Sequence, residues 1–213
     1  DTNAVLENGS IDLAAASSVL GDDVDVDGDA LTVASIRTGK VEAADGTEGA
    51  IGGTLVGTYG TLTLNADGQY SYVATASAVD ALATGVTAED VFTYTITDGT
   101  LSASAELQIT VTGVNDAPIA LSDTNAVLEN GSIDLAAGSS LLVDDSDIDG
   151  DGLTVASIRT GELASTDGVD GTVGNTLTGT YGALTLNEDG SYSYSATASA
   201  VDALATGVTA EDV

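Results

Sequence analysis

The sequence predicts an all-β chain of tandem antiparallel Greek-key β-sandwich repeats, the second of them incomplete. Three observations predict it. The run DTNAVLENGSIDLAA stands at Asp1–Ala15 and again at Asp123–Ala137. That offset of 122 then holds without a gap to Val213, with differences at 21 of the 91 aligned positions, a period that suits a whole domain and is too long for a solenoid unit. Within each copy, apolar residues alternate with Thr and Ser in short runs separated by Asn-Gly and Asp-Gly. This is the pattern of half-buried strands joined by tight turns.

The elements follow in order. Val5-Leu6 and Ile11–Leu13 form strands around the turn Asn8-Gly9, and Leu31–Arg37 is a β-rich run. Thr54–Gly57 and Thr61–Asn65 come next, then Gln69–Val73 after the turn Ala66-Asp67-Gly68. An Asp-Gly pair between two alternating runs is a strong hairpin signal. Phe92–Thr97 places Phe92, Tyr94 and Ile96 on one face and threonines on the other. After Asp98-Gly99, the run Leu101–Thr112 ends with Leu107, Ile109 and Val111 inward. Ala78–Thr84 lacks alternation and is expected to be one or two helical turns or a loop; Lys40–Gly53, where the copies differ most, is expected to be a surface loop. Seven to eight short strands in about 115 residues make a two-sheet sandwich.

The expected organisation is a first repeat at 1–113, a linker at 114–122 and a second repeat at 123–213. Phe92–Ser122 has no counterpart after Val213. The second copy therefore lacks its last two strands and should not close a core alone. Either it is cut from a longer array or another chain supplies the strands.

Composition narrows the function. Thirty-four acidic residues face three basic ones, Arg37, Lys40 and Arg159, for a net charge of −31. Nucleic acid is an unlikely partner for such a surface, as is an anionic membrane. No apolar run is long enough to span a bilayer, and no leader is recognisable. The 43% hydrophobic content, arranged in strand patterns, argues for a folded chain. With neither Cys nor His, disulfides and the usual zinc or copper ligands are unavailable. The donors that remain are hard oxygens, which favour Ca2+.

The strongest chemical signal is DDVDVDGD at Asp22–Asp29, repeated as DDSDIDGD at Asp144–Asp151. Five carboxylates in eight residues repel one another unless a cation sits among them. The candidate metal ligands are Asp23, Asp25, Asp27 and Asp29 in the first copy, and Asp145, Asp147, Asp149 and Asp151 in the second. An EF-hand is not expected, because a strand follows where its helix would stand. A solvated acidic loop is the competing reading. A second signal, Val114-Asn115-Asp116-Ala117-Pro118, contains the chain's one proline and is expected to be the linker. Asn115 and Asp116 could serve there as turn formers.

These motifs together resemble the cadherin-like and VCBS-type tandem repeats of giant bacterial surface and RTX-type adhesins. The resemblance rests on Val-Leu-Glu-Asn near the start and Asp-x-Asp-x-Asp-Gly-Asp before Leu-Thr-Val. Phe-Thr-Tyr-Thr-Ile-Thr-Asp-Gly and Val-Asn-Asp-Ala-Pro complete it. It implies calcium ligands at the junction of successive repeats. Glu7, the pair Glu89 and Asp90, the linker residues Asn115 and Asp116, and Asp147 and Asp149 would take those roles. Glu129 repeats Glu7 in the second copy, and Asp98 would serve the opposite end of its own domain. Two features depart from the family: the acidic loop is longer than the usual Asp-x-Asp pair, and the order Glu89-Asp90 is altered.

The resemblance implies calcium-stabilised spacer repeats of a long secreted adhesin, extracellular or on a bacterial cell surface, serving cell adhesion and biofilm. Its partners would be neighbouring repeats of the same chain and other copies of the adhesin or fibre. Two alternatives stand beside it: a matrix-fibre subunit assembled by repeat contacts or strand exchange, and a calcium-dependent glycan-binding module. Catalysis is not expected, since no GxSxG or HExxH motif occurs and no His or Cys accompanies the carboxylates.

Overall fold

The computed structural model describes residues 1–12, 18–43 and 45–213. Two compact units emerge, Asp1–Asp116 with Ile148–Gly150, and Ala117–Asp147 with Asp151–Val213. The chain is all-β. Among the described residues there is no α-helix, and none is long and apolar enough to cross a membrane.

The first unit is a two-sheet sandwich. Its strands are β1 (Thr2–Leu6), β2 (Ser10–Asp12), β3 (Thr32–Thr38), β4 (Glu48–Gly49), β5 (Thr54–Val56), β6 (Thr61–Leu64), β7 (Tyr70–Val73), β8 (Thr87–Thr97) and β9 (Ser102–Thr112). One sheet runs β1-β9-β8-β3-β4 and the other β2-β7-β6-β5. Alternation decides which residues meet between them. Phe92, Tyr94 and Ile96 of β8 face inward, as do Leu107, Ile109 and Val111 of β9, and none is more than 9% exposed. From the other sheet come Leu55, Leu62, Leu64, Tyr70 and Tyr72. The Tyr72 and Phe92 rings meet edge to face at 6.3 Å, an arrangement favoured by the ring quadrupoles.

The turns are set by residues that accept a left-handed backbone. Asn8 has φ 57°, and Gly68 and Gly99 have φ 81° and 96°. Three features depart from the sequence expectation. Strand β1 runs parallel to β9, pairing Thr2 with Gln108 and Leu6 with Thr112, where antiparallel pairing alone was expected. The stretch Lys40–Gly53, expected to be a loop, contributes β4, whose Gly49 pairs with Ile36. A Cβ at Gly49 would press on Ile36 and Leu55, so the backbone lies close to the core there. Thr93, expected outward, is 5% exposed and its Oγ1 donates to the Gly39 carbonyl at 2.7 Å. Ala78–Thr84, expected as helical turns or a loop, is a loop of turns, with Val79 N–H donating to Ala76 O and Leu82 N–H to Val79 O. Leu13, placed at the end of the second strand by its sequence, lies outside the described residues.

The second unit repeats part of this plan. Strands β10 (Ser132–Leu135), β13 (Thr176–Thr178), β14 (Ala183–Leu186) and β15 (Tyr192–Ser195) form a sheet in the order β10-β15-β14-β13. Strands β11 (Ile158–Arg159) and β12 (Asp170–Gly171) pair separately. The apolar core positions of this sheet are less buried than their equivalents 122 residues earlier. Leu55 is 3% exposed and Leu177 9%; Leu64 is 1% and Leu186 6%. Leu62 and Tyr72 are fully buried, whereas Leu184 and Tyr194 are partly exposed.

The same substitution should therefore cost different amounts in the two repeats. Leu62→Ala removes a fully buried side chain and is expected to cost about 2–5 kcal/mol. Leu184→Ala should cost clearly less, as urea unfolding of the two variants would reveal.

Candidate metal centre

Glu7 follows β1 and is carried inward by the parallel pairing. Its N–H donates to the Thr112 carbonyl at 2.8 Å, and its Oε2 accepts from Val114 N–H at 2.8 Å. It is 6% exposed. Burial pushes its carboxyl above the usual value of 4.5; the N–H of Val114 opposes that shift and the neighbouring Asp116 carboxylate adds to it. Asp116 belongs to the same unit. Its Oδ2 is buried and takes no hydrogen bond, and its N–H donates to Asp149 Oδ2 at 2.8 Å. Three acidic residues, Glu7, Asp116 and Asp149, thus gather in the first unit. Asn115 is exposed, with its amide donating to the Asp116 carbonyl at 2.6 Å.

The acidic loops fold by similar local rules. Asp25 Oδ1 accepts from Asp27 N–H at 2.8 Å and from Asp29 N–H at 3.1 Å. Asp147 Oδ1 accepts from Asp151 N–H at 3.3 Å. Both loops turn at a glycine with positive φ, Gly28 at 82° and Gly150 at 78°. A carboxylate capping N–H groups two and four residues on is an Asx-type turn. Among the described residues, one group of three carboxylates comes within 4.8 Å: Asp147, Asp149 and Asp151, on a single five-residue stretch. In the first copy Asp27 and Asp29 are exposed and Asp25 is half-buried. Asp145 Oδ1 accepts from Leu121 N–H at 2.8 Å.

The remaining candidates lie elsewhere. Asp23 is beside the Tyr94 hydroxyl, which has Asp1 Oδ2 at 2.6 Å, the Val19 carbonyl at 3.2 Å and Asp23 Oδ2 at 3.4 Å around it. Burial and then Asp22 hold the Asp23 carboxyl above its ordinary range. Asp98 Oδ1 accepts from Leu101 and Thr100 N–H, which lower its pKa and close the β8–β9 turn. Glu89 is exposed on β8, and Glu129 is exposed where its equivalent Glu7 is buried.

Asp90 has a different occupation. It is 4% exposed and points inward with Phe92 and Tyr94. Its oxygens accept from the N–H groups of Thr58 (2.7 Å), Tyr59 (3.0 Å) and Gly60 (3.1 Å) and from the Tyr72 hydroxyl (2.7 Å). A Cβ at Gly57 would collide with Asp90, and one at Gly60 with Tyr72. Gly57-Thr58-Tyr59-Gly60 is therefore shaped around a carboxylate. Asp212 repeats the arrangement, accepting from Thr180 N–H at 2.8 Å, Tyr181 N–H at 3.1 Å and the Tyr194 hydroxyl at 2.7 Å. Burial and that hydrogen bond push Tyr194 up to about 12. The signal was present in the sequence: Asp90 stands two residues before Phe92 and so shares its face.

In the first unit, Glu7, Asp116 and Asp149 offer oxygen donors alone, with a buried oxygen of Asp116 accepting nothing. Such a set fits a hard divalent cation. The bacterial cadherin-like domain model matches residues 1–113 and again 115–213. No curated protein matches the chain. Among solved structures, an endo-fucoidan hydrolase, MfFcnA4 from glycoside hydrolase family 107, aligns at 19% identity and a TM-score of 0.29. That alignment covers 91% of this chain and spans 23% of that one. A variant of the same hydrolase aligns at 19% identity with a TM-score of 0.29, over 92% of this chain and 23% of that one.

Two outcomes are expected. Asp90→Asn replaces an acceptor by an amide donor among N–H groups. Losing one charge-assisted bond there costs about 1.5–3 kcal/mol, measurable by thermal unfolding. For Glu7, the raised pKa means the folded state holds its proton more tightly than the unfolded one. In EDTA its contribution to stability should therefore fall as pH rises above about 4.5. Glu7→Gln should flatten that fall and be more stable than the parent at neutral pH in EDTA, but not in calcium. Paired unfolding curves across pH check this.

Proposed function

Because this chain belongs to the bacterial cadherin-like domain family, matched twice in tandem, we propose that it is a non-catalytic spacer of a long secreted bacterial adhesin. Calcium stiffens the linker between its repeats. The supporting observation is the buried meeting of like charges: Glu7 is 6% exposed, Asp116 lies beside it and Asp116 N–H holds Asp149. Two like charges at about 4 Å cost roughly 4 kcal/mol at an effective dielectric of 20. Such groups are not gathered for the stability of the metal-free chain.

A bound calcium ion supplies the positive charge that turns this repulsion into attraction. Glu7, Asp116 and Asp149 of the first unit would hold it, Asp149 coming from the acidic loop, and Asn115 stands next to Asp116 in sequence. The loop supplies carboxylates already turned toward one another by the Asp147–Asp151 bond and the Gly150 turn. Extracellular calcium modules work at about 10⁻⁴–10⁻³ M, so the chain would be slack in the cytoplasm and stiff outside. A net charge of −31 keeps it soluble and apart from nucleic acid.

Calorimetric titration should show calcium binding near that range. Neutralising the second loop by Asp147→Asn, Asp149→Asn and Asp151→Asn should remove it. The matching change in the first loop, Asp25→Asn, Asp27→Asn and Asp29→Asn, should leave it largely intact. Small-angle scattering should give a larger radius of gyration in calcium than in EDTA. An unchanged radius at saturating calcium would defeat the stiffening reading.

A further inference from the structure

We propose that the outer face of the β3–β8–β9 sheet carries a small sugar-binding cleft, which takes one neutral pyranose ring without calcium. The strand register builds its floor. Ser35 pairs with Thr95, and Thr95 with Ser104. Alternation turns these three hydroxyls away from the core, and Thr95 Oγ1 stands 2.9 Å from Ser104 Oγ. The next outward row is Glu48, Arg37, Thr93 and Glu106.

A wall rises because the chain crosses that second row. It turns at Gly39, whose φ is 89°, and the Gly39 carbonyl accepts from Thr93 Oγ1 at 2.7 Å. Val41 N–H then donates to Glu106 Oε1 at 2.7 Å. The Arg37 guanidinium donates to the carbonyls of Thr38 at 3.2 Å, Lys40 at 2.7 Å and Val41 at 3.2 Å. Its rigid fork therefore pins the Gly39–Val41 segment in place. Between this segment, Glu48 and the hydroxyl floor lies a cleft of about 170 Å³. Pockets for drug-sized ligands hold roughly 300–1,000 Å³, so this one suits a single small ring.

The chemistry of the lining selects that ring. Ser and Thr hydroxyls both donate and accept, a guanidinium only donates and a carboxylate only accepts. A polyol answers all three, because each of its hydroxyls does either. Val41, 43% exposed, offers an apolar wall to the C–H groups of the ring. Glu48 in the lining and a net charge of −31 disfavour anionic sugars.

The second unit keeps the frame and changes the lining. Arg159 Nη2 donates to the Glu162 and Leu163 carbonyls at 2.7 and 3.1 Å. Val169 N–H donates to Thr160 Oγ1 at 2.9 Å, as Thr47 N–H does to Thr38 Oγ1. Leu163 stands in place of Val41, and Asp170 in place of Glu48. Loops that vary on a constant scaffold are where binding residues concentrate.

The test uses the 213-residue chain in EDTA, so that its outcome is independent of the calcium reading. Glucose, galactose, mannose, xylose and N-acetylglucosamine are added, each free and as its methyl glycoside, which mimics a chain end. At least one should move the amide NMR shifts of Ser35, Val41, Thr95 and Ser104 saturably at millimolar concentration. The tighter of the two forms tells a free sugar from a glycan end. Glu48→Gln should weaken binding about tenfold, the loss of one charge-assisted hydrogen bond. Thr95→Val, an exchange that strands accept, should weaken it too, with all other amide shifts in place to report an intact fold. No saturable shift from any of these sugars overturns the proposal. So does undiminished binding by both variants, or glucuronate binding as tightly as the neutral sugars.

Discussion

Everything in the first unit hangs on the β8–β9 hairpin. It lies in the middle of its sheet, receives β1 on one side and β3 on the other, and supplies six of the seventeen buried core residues. It also carries Asp90 into the sandwich, where one carboxylate ties the β5–β6 loop and Tyr72 to the opposite sheet. Apolar packing and a buried charged anchor therefore act through the same two strands. In the second repeat the equivalent strands β10, β13, β14 and β15 keep the same register and are less deeply buried.

The same hairpin leads to the acidic centre. Strand β9 ends at Thr112, beside Glu7, and the chain then passes through Val114 to Asp116. The core thus fixes the position of the first two carboxylates. The acidic loop contributes through its own local turn, which needs only an Asp and a glycine.

Much of this was legible in the sequence because alternation reports a strand's face directly. Phe92, Tyr94, Ile96, Leu107, Ile109 and Val111 were all assigned inward and are all buried. Alternation says nothing about strand direction, so the parallel pairing of β1 with β9 could not be seen. Strand β4 was hidden because Glu48-Gly49 packs through its backbone and leaves no side-chain pattern. Asp90 was placed with Glu89 as an acidic pair, although neighbours on a strand point to opposite faces. Of the acidic loops, composition shows both alike; only folding shows that the carboxylates of Asp147, Asp149 and Asp151 come close together.

The parallel pairing of β1 with β9 has a mechanical side. The chain enters the first unit at the Thr2 end of β1 and leaves it from the Thr112 end of β9, and the two strands point the same way. Tension applied to both ends of the unit therefore drags the strands past each other along their length. The rungs between them are loaded together in shear, and cannot be opened one after another as a zip would be. For a tethered domain that must bear a load, this is the stronger of the two geometries, built from no more hydrogen bonds than the weaker one.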